Sequence, residues 1–181
     1  MYFETHCHLN DKQFNEDLNI CIENALDNGC VGFNIVGWDF ESSKRALEIA
    51  SANKEMIVSV GLHPSNCLEA PKDELANIVE LIGADTDKKI KAIGEIGLDY
   101  YWDKDEEHHR IQRQFFEKQI QRVFRNCVCF VSQLHIHERV CKMCYFLDLV
   151  IPLHSSQLNQ LFSIVYKRSP NYLDEQFLVF Q

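Results

Sequence analysis

The chain has 181 residues, 46% of them hydrophobic and 25% charged, which suits one soluble globular domain with a sizeable core and excludes an intrinsically disordered chain. No apolar run reaches the roughly 18–20 residues that span a bilayer, and Met1-Tyr2-Phe3-Glu4-Thr5-His6 does not open a secretory signal, so the expected compartment is the cytoplasm. A net charge of −9 excludes holding nucleic acid by surface charge alone, although a divalent cation in a cleft can supply a positive field locally.

Short β-type runs alternate with amphipathic helical segments as far as about Phe124. Tyr2 to His8 reads as a strand. Asp17 to Asn28 follows as a helix with Leu18, Cys21, Ile22, Ala25 and Leu26 on one face, and Gly29 stands where a helix C-cap glycine belongs. Val31 to Val36 is the second strand and Glu41 to Asn53 the second helix. Ile57 to Leu62 is the third strand, and Pro71 to Ile82 the third helix, with its proline near the start. Ile90 to Ile96 and Glu106 to Phe124 complete a fourth unit. Four βα units in a row predict an α/β fold with a parallel sheet. An open doubly wound sheet and a closed barrel both satisfy that pattern. The unusual polar residues His6, His8, His63 and Glu95 all fall at strand C-terminal ends, which in a barrel converge on one mouth, and this favours the barrel.

The last third reads differently. All seven glycines occur by Gly97, and Cys127, Cys129, Cys141 and Cys144 crowd together, whereas Cys7, Cys21, Cys30 and Cys67 are scattered like small core residues. With no export signal, all eight cysteines read as reduced thiols. Strands are expected at Cys127 to Leu134 and Leu147 to Leu153, with a helical segment between them. The domain expectation is therefore residues 1–124 as the N-terminal part of a barrel and 125–181 as an aberrant continuation of it.

Three stretches carry chemistry. In Thr5-His6-Cys7-His8-Leu9, residues two apart on a strand face the same side, so His6 and His8 point together and Cys7 points away. Two such imidazoles can hold a divalent ion, although two surface histidines would look the same. In Lys91 to Tyr100, an apolar strand runs into Glu95 between Gly94 and Gly97, placing a carboxylate at the sheet's end. A carboxylate can bridge two ions about 3.5–4 Å apart, the usual means of activating water against phosphate esters; otherwise Glu95 caps a helix or pairs with a lysine. In Val58 to Pro64, His63 is delivered in the same way, either to touch substrate or as a structural histidine held by neighbouring backbone.

Together, in this order, Glu4-Thr5-His6-Cys7-His8-Leu9, Val60-Gly61-Leu62-His63-Pro64 and Gly94-Glu95-Ile96-Gly97-Leu98-Asp99-Tyr100, followed by the glutamine-rich Gln112 to Ile120, resemble the TatD family of metal-dependent DNases over residues 1 to about 121. Glu4 stands where the family usually has aspartate. The resemblance implies a TIM-type (β/α) barrel, here incomplete. It implies a hydrolase cutting DNA phosphodiester bonds, exonucleolytically, with two divalent ions (Mg²⁺, Mn²⁺ or Zn²⁺). It also implies His6, His8 and Glu95 as metal ligands, Glu95 as a catalytic residue, and His63 as a substrate contact.

Beyond residue 121 the resemblance fails. The family next supplies two further ligand histidines, for which His135 (or His137) and His154 are the nearest candidates, and then a Glu-Thr-Asp that this chain lacks; Asp174 is no substitute. About 250 residues are usual for such a barrel. The expectation is a truncated or frame-disrupted chain whose activity is in question, since the attacking water would lose an acceptor. Three rivals follow. A structural zinc could sit among Cys127, Cys129, Cys141, Cys144, His135 and His137. A non-catalytic barrel remnant would expose strand edges and associate. An amidohydrolase-type metal enzyme could use the same scaffold.

Overall fold

The computed structural model describes residues 1–126, 129–136 and 139–145, with side chains through Gln121. Chain order is β1 (Tyr2–Cys7), α1 (Leu18–Asp27), β2 (Cys30–Val36), α2 (Phe40–Ser51), β3 (Met56–Val60), α3 (Glu74–Ala84), β4 (Ile90–Asp99), α4 (Glu106–Asn126), β5 (Cys129–Ile136) and β6 (Arg139–Tyr145). One six-stranded sheet holds them in the order β1-β2-β3-β4-β5-β6. β1 to β5 run parallel, and a helix follows each of β1 to β4, as in the first half of a (β/α) barrel. Among the described residues, no helix is long and apolar enough to cross a membrane.

Burial explains the near-continuous apolar runs of the inner strands. Ile35, Val36, Val58, Val60 and Ile96 have no accessible surface, as expected where helices cover a parallel sheet. β1 differs. Tyr2 and Phe3 are exposed, so the first strand meets solvent on part of its surface. Local chemistry sets the boundaries. Gly29, just past α1, takes φ +93°, a left-handed conformation that glycine adopts without Cβ strain. α2 begins in a capping box: the Asp39 carboxylate accepts the Ser42 N–H at 2.8 Å, and Ser42 Oγ accepts the Asp39 N–H at 3.0 Å.

Three expectations are corrected. The stretch expected to be helical between two late strands contains β6, which pairs antiparallel with β5 from Phe130↔Tyr145 to Ile136↔Arg139. β5 offers an unfilled edge, and a short run rich in Val, Cys, Met and Tyr satisfies its backbone groups there better than in an isolated helical turn. The proposed strand Leu147 to Leu153 lies outside the described residues. Next, β4 continues to Asp99 rather than stopping at Ile96, because Gly97, Leu98 and Asp99 find partners in Gln133, Leu134 and His135 of β5. Glu95 therefore sits within β4. On the β3 side, however, pairing ends at Val60↔Ile93, so Glu95 still emerges beyond its neighbour's end. Finally, β3 stops at Val60, two residues short of the expected Leu62, and α3 begins at Glu74 rather than Pro71.

Leu62 nonetheless lies in the core at 1% exposure. The Gln119 amide of α4 replaces its missing strand partner, accepting the Leu62 N–H at 2.8 Å and donating to its carbonyl at 3.1 Å. Two helical turns earlier, Gln112 treats Asp99 in the same manner, at 2.8 and 3.3 Å. The glutamine-rich face of α4 thus holds the strand ends next to His63 and beyond Glu95.

Candidate metal centre

The site begins with the alternation of β1. His6 and His8 face one side, while Cys7 turns away and gives its thiol to the Asn34 carbonyl at 3.5 Å. Burial pushes the Cys7 thiol up to about 12, so it stays protonated there. Side-chain bonds tie the strands beneath the site. Asn34 Nδ2 donates to the Thr5 carbonyl at 3.0 Å, and Ser59 Oγ donates to Asn34 Oδ1 at 3.0 Å, linking β1, β2 and β3.

Glu95 meets the imidazoles from β4. Its Oε2 lies 3.6 Å from His6 Nε2 and 4.0 Å from His8 Nε2, and its Oε1 lies 4.0 Å from His63 Nε2. Burial pushes the Glu95 carboxyl up, but the attraction of His6, His63 and His8 outweighs it and holds the group below the ordinary carboxylate value. Glu95 is therefore anionic at neutral pH. Its N–H donates to the Gly37 carbonyl at 2.8 Å, fixing the residue across the mouth to the end of β2. Gly61 is needed beside it. A Cβ there would stand 2.9 Å from both the Gly94 carbonyl carbon and Ile96 Cγ2.

The backbone assigns the imidazoles different roles. His8 Nδ1 lies 2.9 Å from the Val36 carbonyl, which can only accept, so Nδ1 carries the hydrogen and Nε2 turns a lone pair toward Glu95. His63 Nδ1 accepts the Ser65 N–H at 3.2 Å, so in the neutral ring Nε2 carries the hydrogen that faces Glu95. One ring is set up as a ligand and the other as a donor. His6 supplies the test of fit. Its buried Nε2 meets only the Glu95 carboxylate, at 3.6 Å, longer than an ordinary hydrogen bond, so its hydrogen-bonding capacity is poorly met among the described residues.

Among the described residues, His6, His8 and Glu95 form a group able to hold a metal ion, with ligand atoms all within 4.8 Å of one another. Two imidazole nitrogens, one poorly satisfied and one pre-oriented, and an anionic carboxylate are a fitting donor set for a divalent ion. His63 stands against the second Glu95 oxygen. The later candidates lie on or beyond β5, past the residues whose side chains are described. On β5, His135 pairs in register with Asp99, four residues beyond Glu95 and so roughly 13 Å further along the strand. His137, His154 and Cys127 lie outside the described residues, while Cys129 is on β5 and Cys141 and Cys144 are on β6.

Sequence reasoning missed the supports. The Val36 carbonyl accepts both His8 and Asn10 Nδ2, the latter at 3.1 Å, and Asn10 Nδ2 also reaches the Ser42 carbonyl at 2.9 Å. A backbone acceptor has no signature in a sequence. Trp38 could have been noticed, because it closes a strand in the same way that His63 does.

An incomplete α/β barrel with a cluster of metal-capable side chains at the C-terminal ends of its strands defines the class: a barrel protein with a candidate metal centre at its mouth. The chain belongs to the TatD related DNase family, whose model matches residues 3–158 and so runs past the stretch in which motifs are recognisable. It is 37% identical over 120 residues to the uncharacterized metal-dependent hydrolase YabD of Bacillus subtilis, covering 66% of this chain and 45% of that protein. It is 32% identical over 117 residues to an uncharacterized metal-dependent hydrolase of Methanocaldococcus jannaschii, covering 65% and 44%. Among solved structures, the TatD homologue YjjV of Escherichia coli matches with a TM-score of 0.67 at 22% identity, covering 74% of this chain and 51% of that one. A TatD family hydrolase of Entamoeba histolytica matches at 0.60 and 22%, covering 70% and 46%. The chain spans about half the length of the curated relatives it matches.

Proposed function

We propose that this chain carries the metal-binding part of a hydrolase that cuts DNA phosphodiester bonds exonucleolytically, in the cytoplasm, with divalent ions held through His6, His8 and Glu95. The observation that carries the reading is the buried Nε2 of His6, held 3.6 Å from an anionic Glu95 with no closer hydrogen-bond partner among the described residues. A divalent ion bound there would supply Lewis acidity and a water of lowered pKa. The protein's own groups do the rest. Glu95 holds negative charge in a buried place, and the Val36 carbonyl keeps the His8 lone pair directed inward. His63 presents an Nε2 hydrogen at the same point, where a phosphate oxygen would accept it. Glu95 turns one oxygen to His6 and His8 and the other to His63, which suits a carboxylate shared by two ions. A second ion would draw donors from outside this cluster, and His135 and His154 are the candidates.

The test incubates the 181-residue chain with single-stranded DNA labelled at either end, in Mg²⁺, Mn²⁺ or Zn²⁺. Shortening from one end is expected, abolished by EDTA and reduced about 100-fold or more by Glu95→Gln, since even outer partners of ligands are worth 10–100-fold. Metal-dependent hydrolysis of a small amide in place of DNA would overturn the phosphodiester reading. Absence of bound metal would overturn the centre itself.

A further inference from the structure

Trp38 follows Gly37 just past β2 and touches the candidate centre twice. Its indole meets the His8 imidazole edge-on, with ring centroids 5.3 Å apart and planes at 76°. Its carbonyl accepts the His63 N–H at 2.9 Å. Its own N–H donates to Ser42 Oγ at 2.8 Å, inside the cap of α2. Both backbone polar groups are therefore anchored, and the indole is delivered to a set place.

His8 needs such a neighbour. Its side chain is 37% exposed against 16% for His6, and among the described residues its ring makes one hydrogen bond, from Nδ1 to the Val36 carbonyl. A single bond leaves an imidazole free to rock about the donor–acceptor axis. The rings that meet it are His6, at 5.0 Å and 84°, and Trp38. Both contacts fall in the edge-to-face range where aromatic pairs attract beyond simple burial.

We propose that Trp38 is a positioning residue of the metal centre: its indole braces the His8 ring so that Nε2 stays turned to Glu95, and its carbonyl sets the backbone of His63. The inference rests on the metal reading above and goes beyond it, because Trp38 touches neither ion nor phosphate. The indole makes the difference between a ligand that waits in place and one that must be ordered when the ion arrives.

The test compares Trp38→Leu and Trp38→Phe in the full chain, with far-UV dichroism checking that each folds. In the metal-free protein, well above the ordinary imidazole value of about 6.5, ring nitrogen NMR should show His8 wholly in the Nδ1-protonated tautomer. The leucine variant should show a mixture of tautomers, and the phenylalanine variant should stay close to the parent. Calorimetric titration with Mn²⁺ should give about three- to tenfold weaker binding for Trp38→Leu and a change within about twofold for Trp38→Phe. If Trp38→Leu fails to fold, Trp38→Met is read in the same way. A leucine variant that keeps the single tautomer overturns the brace, whatever happens to affinity. Should the parent bind no Mn²⁺, the metal reading falls, while the metal-free spectrum still decides for or against the brace.

Discussion

Gln119→Leu isolates one device that holds the site in place. β3 ends at Val60, and Leu62 would leave an N–H and a C=O unpaired in the core but for the two bonds from the Gln119 amide, at 2.8 and 3.1 Å. Leucine keeps the side chain's approximate volume and is as good a helix former, so the change removes little except those bonds. Each buried backbone group left unpaired costs about 1–3 kcal/mol, or about 2–6 kcal/mol for both. Two features offset part of that. The new apolar side chain gains about 1–2 kcal/mol of burial. A groove of about 290 Å³ between α3 and α4, lined by Leu75, Ile78, Val79 and Ile82 and reaching Gln119, gives water a route toward the orphaned groups. Subtracting the ranges leaves a net loss between about 0 and 5 kcal/mol, centred near about 2.5 kcal/mol. Urea unfolding followed by dichroism measures it, and hydrogen exchange at the Leu62 amide should quicken in parallel. Gln119→Glu, which keeps an acceptor but loses the donor and buries a charge, should be no milder. A loss under about 1 kcal/mol with unchanged Leu62 exchange would refute the claim that this amide stands in for a strand.

Mn²⁺ at a hundred times its dissociation constant should stabilise the fold by about 2.7 kcal/mol; thermal unfolding reads the gain, EDTA should reverse it, and Glu95→Gln should abolish it. Because the imidazoles hold the Glu95 carboxyl below its ordinary value, its contribution to stability is present above the unfolded value of about 4.3 and is lost as pH falls below it. Unfolding midpoints of metal-free Glu95→Gln should therefore fall less steeply on acidification, and an unchanged slope would count against the carboxylate–imidazole cluster. Glu74 has the opposite sign: burial pushes it up, the Phe40 N–H it accepts pulls against this, and Asp39, Asp73 and Glu41 add to the rise. Parent stability should thus decline as pH rises through the Glu74 range, and Glu74→Gln, which keeps the acceptor, should match or exceed the parent at neutral pH and lose that advantage in acid, as paired urea titrations would show. Gly61→Ala should cost about 1–3 kcal/mol through overpacking against Gly94 and Ile96 and should weaken Mn²⁺ binding, since the strain falls on the segment that presents Glu95; an alanine variant with full stability and full affinity would exclude that close approach.

How far the site could be read from the chain depends on which facts are local. His6, His8 and Glu95 were legible because strand alternation is a period-two rule and strand ends in a barrel share one mouth, so residue type and spacing were enough. The extent of β4 was not legible. Whether Gly97 to Asp99 are strand is decided by the β5 residues that pair with them, more than thirty positions later. The same holds for β6, whose apolar spacing over seven residues fits a helix and a strand about equally and was settled by the free edge of β5. Gln119 could be seen as a helical glutamine, but its work follows only from where β3 stops.

The histidines show most plainly what composition leaves out. His8 and His63 are the same residue, each delivered near the end of a strand and each with Nε2 at 4.0 Å from the same carboxylate. What separates them is the atom the backbone offers to Nδ1. The Val36 carbonyl forces a hydrogen onto one ring, and the Ser65 N–H forces a lone pair onto the other. The first ring can therefore donate electrons to a cation and the second a hydrogen to an anion. The proposed phosphodiester chemistry would call for one of each, and a main-chain oxygen and a main-chain N–H assign the two roles.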